Sequence, residues 1–151
     1  MKKNNKVDQI YSNAASKIIK VFVSPSLLVY FLSKTAQLVY EYSKKDSGIA
    51  GLHSTHNITM VLLSDLAEPW IDNNLWDLEN NLRYLNKNIG CARLNRWVTE
   101  VVYITSKAEI EGMNGAPTVS EWMDFYTCFY EVAESLQEVD YLDTETQKQA
   151  A

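Results

Sequence analysis

Apolar residues recur along this chain three or four positions apart rather than two, the spacing that gathers them on one face of a helix. Over residues 6–23, Val7, Ile10, Tyr11, Ala14, Ile18, Val21 and Phe22 form one stripe, with Lys6, Asn13, Lys17 and Lys20 opposite. Ser24-Pro25 ends this helix and opens the next. Ser24 acts as the cap, and Pro25 takes the first helical position, where its fixed φ fits and its missing N–H is not needed. Residues 25–43 are apolar around more than half the circumference, through Leu27, Leu28, Phe31, Leu32, Ala36, Leu38, Val39 and Tyr42. Such a helix is expected to be central, with neighbours on two sides.

Residues 44–54, carrying Gly48 and Gly51, read as a loop, followed by a helix over 55–67 that stops before Pro69. A fourth helix, 72–88, starts at Asp72 and shows a narrow seam in which Leu75, Leu78, Leu82, Leu85 and Ile89 alternate at spacings of three and four. Gly90 is its stop. In the fifth segment, 91–109, Leu94, Trp97, Val98, Val101, Ile104, Thr105 and Ala108 share a face opposite Arg93, Arg96, Glu100 and Lys107. Its stretch 98–105 is rich in β-branched residues and also fits a strand. The helical reading is preferred because charge stays off the apolar face throughout. After a loop at 112–117, Thr118 and Glu121 form a T-x-x-E capping box ahead of a sixth helix, 119–139. There Trp122, Phe125, Tyr126, Phe129, Val132, Ala133 and Leu136 oppose Asp124, Glu131, Glu134 and Glu138. The expectation is an all-α, compact single-domain bundle of five to six helices over residues 1–140, with 141–151 a frayed polar tail.

Composition narrows the class. With 151 residues, 46% of them apolar, the chain has material for one core. Its most apolar stretch, Val21 to Leu32, is 12 residues long and contains Pro25, too short for a spanning helix, which needs about 20. The basic opening Met1–Lys6 is followed by Asp8, Gln9, Ser12 and Asn13 rather than by the apolar run of a signal peptide. Two cysteines, Cys91 and Cys128, are too few for a disulfide framework. A cytoplasmic protein with no membrane segment is expected.

Candidate chemistry is sparse. The five glycines make neither a phosphate-binding P-loop nor G-x-G-x-x-G, and no cofactor is expected. His53 and His56 are three residues apart, a spacing that puts both imidazoles on one side of a helix, with Asp46, Asp65 or Glu68 as possible carboxylate partners for a metal. No H-E-x-x-H accompanies them. Cys91 follows Gly90 at a helix start, where the helix dipole lowers a thiol pKa, whereas Cys128 sits beside an apolar face. Asp65, Glu68 and Asp72 surround Pro69-Trp70, an acid/base candidate whose plain alternative is a solvated turn.

The distribution of charge is the least ordinary feature. Residues 1–45 hold eight lysines against Asp8 and Glu41, a balance of +6. Residues 108–147 hold ten acids and no base, a balance of −10, within a chain whose net charge is −5. Three consequences are open: the two ends neutralise each other inside the fold, two copies associate, or the acidic helix docks a partner with a basic surface. The leading expectation is a non-enzymatic interaction module, of inhibitor, immunity or adaptor type, using Asp124, Glu131, Glu134 and Glu138, with Trp76 as a further anchor. Two alternatives stand beside it: a metal-binding protein or small enzyme built on His53 and His56, and a regulator touching nucleic acid through the lysine-rich first third. The Leu75–Ile89 seam is also open to use as a homodimer contact.

Overall fold

The computed structural model describes residues 2–45, 52–71, 74–113 and 118–150. They form six α-helices and one short π-helical segment: α1 Lys2–Phe22, α2 Pro25–Lys45, α3 Leu52–Val61, the π segment Leu62–Ala67, α4 Leu75–Asn88, α5 Cys91–Ile110 and α6 Val119–Ala150. The fold is an all-α bundle. The stretch 98–105 is helical, because Trp97, Val98, Val101, Ile104 and Thr105 all reach the interior only on a helical period. No single helix among the described residues is long and apolar enough to cross a membrane.

α6 lies between α1 and α5; α1 also packs on α4, while α2 covers α3, the π segment and α5. α1 and α2 are bent by 81° relative to each other. The corner is built as the sequence suggests, with the Ser24 hydroxyl accepting from the Leu27 amide at 3.4 Å and Pro25 opening α2. One feature of it was not legible: Val23 closes α1 in the left-handed region, at φ 68°. A β-branched side chain is strained there, and Val23 is 67% exposed, so no buried contact compensates.

The bend brings Phe22 and Phe31 onto the inner face of α6. The Phe31 ring lies 4.9 Å from Trp122, 5.1 Å from Phe125, 5.4 Å from Tyr126 and 6.0 Å from Phe129, and Phe22 stacks on Phe125 at 5.0 Å. Trp97 closes the cluster edge-on against Phe129 at 5.3 Å, and its indole N–H donates to the Thr59 hydroxyl at 2.8 Å. A second buried polar pair, Thr105 and Tyr126, bonds at 2.8 Å, and burial pushes the Tyr126 phenol up to about 12.

Several boundaries differ from the expectation. α4 begins at Leu75, capped by Asn74, whose side-chain oxygen accepts from the Asp77 amide at 3.0 Å; the proposed cap Asp72 lies outside the described residues. The Leu75–Ile89 seam faces inward: Leu78, Leu82 and Leu85 are fully buried, and Leu75 and Ile89 pack against the core, so the seam is not a surface for a second copy. α6 continues to Ala150 instead of ending near Val139, with Val139 buried and Leu142 packed on the core. Of the expected capping box, the Glu121 side chain lies outside the described residues; the first amide of α6, Val119, donates to Glu109 at 3.1 Å.

Opposite substitutions test this account of the core and the corner. Val23→Gly removes the left-handed strain at the expense of a freer unfolded chain, and should stabilise by roughly 0.5–1 kcal/mol. Phe31→Ala empties the centre of the aromatic cluster and should cost about 3–5 kcal/mol. Denaturant titration reads both. Because the buried Tyr126 phenol ionises later in the folded than in the unfolded chain, stability should be insensitive to this group below its ordinary range and fall as pH rises from there towards about 12.

Candidate functional site

α6 is the acidic element of the chain, and its outward face is more than acidic. At 100° per residue, positions 123, 130 and 141 fall within one narrow line. Met123, Tyr130 and Tyr141 occupy that line and are 51%, 46% and 64% exposed. Sequence patterning sorted α6 into an apolar inside and an acidic outside, and so missed these three. The signal was present as a second apolar line, offset from the core stripe.

The four acids divide around this line. Glu134 stands beside Tyr130 and, with Gln137, forms one side of a groove of about 540 Å3 against Cys91, Ala92 and Asn95 of α5. Glu138 is exposed. Glu131 turns towards α1 and pairs with Lys17 at 3.8 Å, while Asp124 shares a second groove with Lys17, Lys20 and Phe125. The basic first helix therefore lies beside the acidic last one, as one of the three expectations had it. Such exposed pairs each contribute about 0–1 kcal/mol. Trp76 is 71% exposed but stands on the first turn of α4, apart from the α6 face, so the structure does not bring it together with the acids.

Cys91 opens α5 at the edge of the first groove. The position at a helix start would lower its pKa, yet the thiol is raised: partial desolvation comes first, followed by a hydrogen bond donated to Asp140 at 3.4 Å and that carboxylate's charge. Asp140 also accepts from Asn86 at 3.3 Å, and Asn86 donates to the Tyr11 hydroxyl at 3.0 Å, so the carboxylate is held in place. Cys128 is buried, and burial pushes it up to about 12. Neither thiol is tuned for nucleophilic work. His56 lies on α3, while the His53 side chain and Asp46 lie outside the described residues. No group of three or more His, Cys, Asp or Glu side chains arranged for a metal occurs among the described residues.

The chain matches no family model, no curated protein and no solved structure. What the site does must therefore be read from its own chemistry, which offers aromatic and acidic groups along one helix.

The thiol assignments are open to direct measurement. With iodoacetamide at about pH 8, below the ordinary thiol pKa, Cys91 should react slowly and Cys128 only on unfolding. Asp140→Asn removes the charge that holds the Cys91 thiol protonated, and should speed its alkylation several-fold as read by mass spectrometry. An unchanged rate would show that Asp140 does not govern this thiol.

Proposed function

We propose that this protein is a non-enzymatic interaction module, of inhibitor, immunity or adaptor type, which docks a basic protein partner on the outward face of α6. The observation that supports this most is the line Met123, Tyr130 and Tyr141, exposed on one face of a helix that also presents Asp124, Glu134 and Glu138. Tyrosine at the centre of an interface contributes large contact area at low entropic cost, and a partner covering this line removes apolar surface from water. Acids around it add little to affinity but steer a basic partner and fix its register. Glu131 is already engaged by Lys17, so Glu134 and Glu138 are the acids most available to a partner.

Two variants separate anchor from steering. Tyr130→Ala should weaken capture of the partner by tenfold or more, the loss of a central aromatic of about 1.4–2 kcal/mol. Glu134→Gln with Glu138→Gln should chiefly slow association and flatten its salt dependence. The measurement is affinity capture from the native cell with wild-type and variant baits in parallel, then association kinetics with the protein recovered. If the same proteins are retained equally by all three baits, α6 is not the docking face.

A further inference from the structure

α5 is flanked by a second groove on the side away from Glu134, and its chemistry is different. One wall is α3 with the π segment, the other is the corner between α4 and α5, and the space between them is about 650 Å3. Sites for small molecules run from roughly 300 to 1,000 Å3, with an apolar lining and a few convergent polar groups. Here Ile58, Val61 and Ile89 form an apolar floor that packs against the core, with Asn57 on one wall and Asn88 on the other.

The charged groups distinguish this groove from a mere crease. Arg93 and Arg96 come from α5 and Asp65 from the π segment. A π turn takes in more residues than an α turn, and here Leu62, Leu63, Leu66 and Ala67 all reach the core while Asp65 is left on the groove side. The Arg96 guanidinium is fixed by Glu100 at 3.0 Å, and Glu100 is itself held by the Thr55 hydroxyl. Among the described residues, Arg93 and Asp65 make no ion pair, although both line the same concavity. The adjoining start of α5 has no side-chain cap, which leaves the positive end of the helix dipole beside the arginines. Arg93 and Asp65 thus bring opposite charges to one concavity without pairing with each other, above an apolar floor.

We infer that this groove binds a small dipolar molecule with an apolar body, of the amino-acid or short-peptide class. Its carboxylate lies on Arg93 and Arg96, its apolar side chain on Ile58 and Ile89, and its amine against Asp65. This site shares no residue with the α6 face and stands or falls separately from it.

The probe is the dipeptide leucyl-leucine, titrated into the full chain and followed by amide NMR shifts. Its N-acetyl and C-terminal amide forms, each lacking one charge, serve as the comparison. The zwitterion should give saturable shifts confined to residues 54–65 and 88–96. Its affinity should fall about tenfold in Arg93→Gln and about tenfold in Asp65→Asn, the loss of one charge-assisted contact in each case. Asp65→Asn should leave binding of the N-acetyl form unchanged, and Arg93→Gln should leave binding of the amide unchanged. The inference is overturned if the dipeptide produces no saturable shifts at millimolar concentration, if both variants bind it as the wild type does, or if all three forms bind equally. The spectra report in the same experiment that each variant is folded.

Discussion

The burial of Phe31 is the constraint around which the rest of the bundle is arranged. Its ring touches four aromatic side chains of α6 and one of α1, so α2 must run back across α6 immediately after α1 has packed along it. Two helices that share a partner in this way, joined by a two-residue link, cannot remain collinear. The 81° bend follows, and with it the left-handed conformation of Val23. The local strain is on the order of 1–2 kcal/mol, small beside the several kcal/mol that each large aromatic contributes when fully buried. Local preference yields to the core because the core term is larger.

The same cluster determines what α6 can show to solvent. Trp122, Phe125, Tyr126 and Phe129 are committed inward, and α1 and α5 cover its flanks, so among the described residues one strip of its surface is open. That strip holds Met123, Tyr130 and Tyr141 together with Glu134 and Glu138. The charge polarity of the sequence is thus partly spent within the fold, where Lys17 meets Glu131 and Lys20 lies near Asp124. Arg83 and Asp8 tie α4 to α1 in the same fashion, at 2.5 Å. What is left on α6 is a mixed aromatic and acidic face, a more specific surface than net charge suggests.

Much of this was legible in the hydrophobic period, because a helix that buries one face must repeat it, and the stripes name most inward residues of α1, α2, α5 and α6, missing Ala15, Thr35, Cys128 and Val139. The failures have physical causes. A π turn hides within a 3.6-residue template: Leu62, Leu63, Leu66 and Ala67 still look like one face, so the extra residue goes unnoticed. The end of α6 was misplaced because its last residues are polar, although Glu, Gln, Lys and Ala have high helix propensity and Leu142 still reaches the core. The raised pKa of Cys91 was not legible, because the helix dipole is a local effect readable from sequence, whereas Asp140 arrives from 49 residues away. The seam of α4 was correctly identified as a packing surface, but sequence alone could not say whether α1 or a second chain would fill it.

The two grooves beside α5 share one structural origin. Ile89 closes α4, and Gly90, at φ 83°, turns the chain into α5. From there the period of α5 puts Cys91 and Asn95 on one side of the helix, against Tyr130 and Glu134, and Arg93 and Arg96 on the other, against α3 and Asp65. Residues one or two apart on one helix therefore line different grooves, one carrying Glu134 and the other Arg93 with Asp65. The helical period of α5 therefore keeps the groove beside Glu134 and the groove beside Asp65 distinct.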